Sequence, residues 1–191
     1  MTWSPIRIRL PSPIRSLASD RGVAAVEFAL VAPVLVLLLL GVLDLGWRLF
    51  AEYRLGRAAA AAAELTARAR ELHEADLEEA LRATAAIAAP FGPAADGAVI
   101  VSGVRNETGI RPVVLWQRVW PPAATVSSRV GPPGGAAELG ALRLEVGESV
   151  IVAELFHRFE PLVGLLFRQP EQLYYRWIAA PRYGPLAAVL P

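Results

Sequence analysis

The sequence predicts an α+β protein in which a long N-terminal transmembrane helix continues outside the membrane and packs on a small antiparallel sheet. Three observations carry that expectation. Val23 to Leu43 is a run of 21 residues in which Glu27 alone is charged, enough for a helix to cross about 30 Å of hydrocarbon at roughly 1.5 Å per residue. The stretch from Arg48 to Leu72 has no proline, only Gly56, and many strong helix formers, so the helix continues past the membrane to about Arg70. From Ala98 onward the pattern turns to short β-branched and aromatic segments punctuated by Gly and Pro, the signature of strands close enough in sequence to pair antiparallel.

Length and composition narrow the possibilities further. With 191 residues there is room for one modest domain besides the span, and 54% hydrophobic residues fit a chain with one helix in lipid. All 19 basic residues are arginine and they nearly balance 18 acidic ones, so no positive field advertises nucleic acid as a partner. Cysteine is absent, which removes disulfides, thiolate metal sites and a cysteine nucleophile.

In chain order, residues 1–22 form a basic leader. Arg7, Arg9, Arg15 and Arg21 face a single Asp20, and Pro5, Pro11 and Pro13 prevent a regular helix. Positive residues flanking a span stay cytoplasmic, so the N-terminus is expected inside and everything after Trp47 outside. The span is assigned to 23–43, with Asp44 and Arg48 beginning the aqueous part and Trp47 at the far interface. A removable secretory signal is the alternative, but the apolar run exceeds the usual length and no small-x-small site follows it at once. Pro33 lies inside the span, where a membrane helix tolerates it.

Residues 44–88 form a helical region outside the membrane. Within it Asp76 and Glu79 have capping-box spacing, which predicts a second helix from Leu77 to Ala88, ending before Pro90. Residues 98–191 form the β-rich domain. Ala98 to Val104 and Val113 to Trp120 read as a hairpin across the turn RNETG, and Pro121 to Gly140, with four prolines and four glycines, as a loop. Ser149 to Phe159 is the third strand, Ile151, Ala153, Leu155 and Phe159 on one face and Glu154 and Arg158 on the other. Leu173 to Ala179 is the fourth. One face of this sheet needs a cover, and the outer half of the long helix is the available one.

The head of the apolar run carries the most specific pattern. Gly22 stands at the boundary between leader and helix, and Glu27 is the fifth residue after it, giving G-VAAVE-F. This resembles the processing site of type IV pilins and pseudopilins, where a membrane-embedded prepilin peptidase cuts after a glycine on the cytoplasmic side. The longer stretch RGVAAVEFALVAPVLVLLLLGVLDLG is similar to the TadE group of the tight-adherence (Flp) pilus system, as are GESVIVAELFHRFEPL and APRYG. Pilins usually carry Phe directly after the cut, where this chain has Val23. In the TadE-like group Glu is followed by an aromatic, which Glu27 and Phe28 match.

The resemblance implies a pilin-like fold and a minor pilin or pseudopilin of the bacterial inner membrane. Its partners would be the prepilin peptidase, other minor pilins and the inner-membrane assembly platform, and it implies neither cofactor nor metal. Cutting between Gly22 and Val23 would expose a new amine, a cation at neutral pH. Glu27 of a neighbouring subunit could pair with it, so that a lone charge in lipid becomes a compensated pair. The plainer reading makes Gly22 an ordinary helix breaker and Glu27 an interfacial charge that snorkels to water. On that reading the protein is a signal-anchored, single-pass envelope protein with an extracytoplasmic binding domain and no pilus role.

Enzyme chemistry finds little support. His73 and His157 are the only histidines and neither has metal-ligand neighbours at the right spacing. No G-x-S-x-G elbow, phosphate loop or dinucleotide motif is present. Asn106-Glu107-Thr108 is expected to serve as a turn, and Trp116 with Trp120 as core packing.

Overall fold

The computed structural model describes residues 20–92 and 97–191. The predicted leader lies outside the described residues up to residue 19, and so does part of the PFGPAADG segment, residues 93–96. The elements run α1 (Asp20–Ala67), α2 (Glu74–Ala88), β1 (Gly97–Arg105), β2 (Val113–Trp120), β3 (Ser149–Phe159) and β4 (Glu171–Ala179). The chain divides into two units, Met1–Val42 and Leu43–Pro191.

In the first unit α1 runs through Pro33 and exposes apolar side chains around its circumference: Phe28, Leu30, Leu35, Leu38 and Val42 are all more than half exposed. A helix apolar all round is at home in lipid, and this one is long and apolar enough to cross a membrane. It fits a single-pass anchor.

In the second unit α1 changes character. Ala51, Leu55, Ala58, Ala59, Ala62, Ala63 and Ala67 recur at helical spacing on one buried stripe. This stripe shares one buried cluster with Val99, Val101, Ile151, Ala153, Leu155 and Phe159 of the sheet, and Leu77, Leu81 and Ala88 of α2 complete it. The sheet has the order β2-β1-β3-β4, antiparallel throughout. The α+β architecture, the hairpin, all four strands and the helix as cover stand as the sequence predicts.

Both helix boundaries differ from expectation, and for the same reason. α1 ends at Ala67, short of Arg70, because the Arg182 N–H bonds the Ala67 carbonyl at 3.0 Å. α2 begins at Glu74 and has His73 at its N-cap with no side-chain cap, so the Asp76–Glu79 capping box does not form and Asp76 lies in the first turn. That start is set by the C-terminal segment: Leu190 pairs with His73, its N–H reaching Leu72 O at 2.7 Å and its carbonyl accepting from Glu74 N at 2.9 Å.

The second sheet face is the larger departure. The Pro121–Gly140 loop packs down on it, bringing Val130 and Leu139 against Val104, Val114, Val150 and Val152. Glu154 points to this face as predicted, yet it is fully buried. Its carboxylate accepts from the Ser128 hydroxyl, from Arg129 N at 2.8 Å and from the Tyr174 hydroxyl at 3.0 Å. Burial, aided by the neighbouring Glu154 charge and its hydrogen bond, pushes the Tyr174 phenol up to about 12. The Arg129 guanidinium sits 4.1 Å from the centre of the Tyr174 ring.

A buried charge held by three donors is costly to disturb. Glu154→Ala leaves the Arg129 amide and two hydroxyls without their acceptor and is expected to destabilise the domain by about 3 kcal/mol. Urea unfolding checks this, and limited proteolysis should find new cuts within 121–140. Glu154→Gln, which keeps one acceptor oxygen, should lose less.

Two further expectations are met in this unit. Trp116 is buried and donates from Nε1 to Leu186 O at 2.7 Å, while Trp120 packs against the same cluster. Asn106 is a turn residue, donating to Leu144 O at 2.8 Å and accepting from Gly109 N at 2.9 Å.

Candidate functional site

Gly22, Val23, Glu27 and Phe28 all lie in the first turns of α1 and all are exposed. The helix begins two residues before Gly22, so that glycine is its third residue rather than a residue ahead of it. Val23 and Glu27 are four apart and share one face. Glu27 has no hydrogen-bond or ion-pair partner among the described residues. The site thus presents an accessible peptide bond at the head of an apolar helix and, one turn on, a carboxylate open to a partner.

The residues 22–64 match a family model described as TadE-like protein. This segment is similar to that family. The match begins at Gly22, takes in Val23, Glu27 and Phe28, and ends at Glu64, covering the apolar run and most of the alanine stripe. It spans less than a quarter of the chain. No curated protein and no solved structure matches.

At the other end of the apolar run the structure places a feature that the sequence did not disclose. Asp44, expected to begin the aqueous part, is buried to 1% exposure. Its carboxylate accepts four successive backbone N–H groups: Val163 at 2.9 Å and Gly164 at 3.3 Å on Oδ1, Leu165 at 2.8 Å and Leu166 at 3.0 Å on Oδ2. The loop closes around the charge because Gly164 adopts φ 79°, a conformation that favours glycine. These amides, Val163 foremost, hold the Asp44 carboxyl down at about 2 against the opposing effect of burial. The only advance signal is the apolar run LVGLL in a segment otherwise marked as a loop by Pro161 and Pro170.

Arg48, one turn on, secures the base of the same loop. It pairs with Glu52 at 3.1 Å and Glu171 at 3.3 Å, and its guanidinium lies 5.4 Å from the Phe159 ring centre and 5.8 Å from that of Phe167. Trp47 meets Phe91 edge-on at 4.7 Å.

The histidines do not assemble into a site. His73 stands at the N-cap position of α2 without a side-chain cap, and His157 is buried edge-on to Phe91 at 5.8 Å. Among the described residues no group of three or more His, Cys, Asp or Glu side chains could hold a metal ion.

Proposed function

We propose that this chain is a minor pilin or pseudopilin of the TadE-like kind, a single-pass inner-membrane protein that assists assembly of, or secretion by, a Flp-type pilus machine. Its N-terminus is cytoplasmic, its β-rich domain is extracytoplasmic, and it acts as a substrate and structural component rather than as an enzyme. The observation that carries this reading is the TadE-like match opening at Gly22 and taking in Glu27, on a helix whose head is exposed.

Physical chemistry supplies the steps. The Gly22–Val23 bond lies in the first turn of α1, where backbone N–H groups lack intrahelical partners and a glycine loosens the helix further. A prepilin peptidase can therefore draw that end into an extended form and cut it. The freed amine of Val23 then pairs with Glu27 of an adjoining pilin, which offsets the desolvation that each charge suffers alone.

N-terminal sequencing of membrane-extracted protein, from cells with and without the peptidase, is the direct test. A mature start at Val23 that depends on the peptidase is the expected result, and an uncut chain would favour the signal-anchored envelope protein instead. Glu27→Ala is expected to leave insertion intact while incorporation into the pilus machinery falls by more than roughly tenfold, since its partner amine is left uncompensated. Co-purification with other minor pilins measures that fall.

A further inference from the structure

We propose that the loop Leu162–Leu166 inserts into the interfacial layer of the membrane that holds the apolar run of α1, giving the domain a second point of contact with lipid. The inference rests on the single-pass anchor reading and adds to it a surface that sequence patterns did not mark.

Leu162, Val163, Leu165 and Leu166 are 58%, 42%, 37% and 54% exposed within five residues. A contiguous apolar patch of this kind marks a site of interaction, whereas exposed apolar residues scattered singly do not. Leu45 and Leu49, on the turns of α1 that follow Leu43, are exposed as well.

Asp44 decides the occupant. It follows Leu43, the last residue of the apolar run, so by chain continuity whatever it binds lies where that run leaves the hydrocarbon. It also takes up the four amides from Val163 to Leu166. Irregular backbone is excluded from lipid mainly by its unmet hydrogen bonds, and here four successive donors are already met from within the protein. Trp47, three residues after Asp44, fits the same depth, because Trp at the end of a span favours the headgroup level. A five-residue loop offers far less than the roughly 800 Å² per partner of a stable protein interface, while an interfacial anchor needs only apolar side chains at the right height.

The absence of cysteine makes a direct test simple. Leu35→Cys, Leu165→Cys and Ile110→Cys variants of the full chain are each labelled with a polarity-sensitive fluorophore and placed in phosphatidylcholine–phosphatidylglycerol vesicles. The vesicles carry nitroxide lipids, shallow or deep in the acyl chains. The label at 35 should be quenched most by the deep nitroxide. The label at 165 should respond to the shallow one at least roughly threefold more than the label at 110. Adding Leu162→Ser and Leu166→Ser should abolish most of the quenching at 165 and leave that at 35 unchanged. An unquenched label at 165 beside a quenched one at 35 overturns the loop proposal, as does shielding at 165 that appears only when a second protein is added. An unquenched label at 35 overturns the anchor reading itself.

Discussion

Gly103→Val is expected to lower the stability of the domain by about 3 kcal/mol, through a clash in the sheet that no side-chain rotation relieves. Gly103 of β1 lies opposite Trp116 of β2, next to the irregularity at which Val104 pairs with Val114 and Leu115 is left over. The indole of Trp116 covers the glycine. A Cβ at 103 would lie 2.3 Å from Trp116 Nε1 and 2.4 Å from Cε2, far inside contact distance. The ring can retreat only by giving up its bond to Leu186 O, leaving a buried donor unmet. Urea unfolding of the detergent-solubilised chain, followed by tryptophan fluorescence, measures the loss. Combining Gly103→Ala with Trp116→Leu should cost less than the sum of the two single changes, because the clash exists only when both side chains are present.

Asp44→Ala is expected to free the Val163–Leu166 segment from α1 without disturbing the sheet. Each of its four amides loses an ionised acceptor, and hydrogen bonds to charged groups are the stronger kind. Their hydrogen exchange should quicken by at least roughly tenfold, a change local to that loop. The same contact has a defined pH dependence. The carboxyl titrates at an ordinary 3.8 when the chain is unfolded and at about 2 when folded. Its folded form is therefore favoured fully above about pH 4, and the advantage drains away as pH falls toward 2. Protection of the four amides, taken relative to Asp44→Ala at each pH, should follow that descent. A flat profile would show that the carboxylate does not hold the loop.

Most of the fold was legible because it follows from local period. Alternation marks β3, the alanine repeat marks the buried stripe of α1, and the break in composition after Pro90 marks the change from helix to strand. What escaped depended on partners far away in sequence. Asp44 looked like the first residue of an aqueous segment because nothing near it hints at amides 119 to 122 residues on. Glu154 was legible only as a residue of the opposite strand face, because its cover comes from a segment rich in Gly and Pro, which announces a turn but not where the turn will lie. The start of α2 was misplaced because a local capping pattern lost to a backbone bond from Leu190. The N-terminal motif was readable as a pattern of residue types, and the family match covers the same residues.

The order of the strands also bears on how this domain avoids sticking to copies of itself. β2 and β4 are the two borders of the sheet. Part of β2 is already occupied, since Val114 exchanges backbone bonds with Gly134 and Gly135 and Val113 bridges to Ala136. β4 has no backbone hydrogen bonds on its outer side among the described residues. It carries Glu171 and Arg176, and charges along an open border discourage the addition of another strand. Neutral, β-branched replacements at those two positions would turn the border into a template, and aggregation would then begin at β4 while the rest of the domain remained folded.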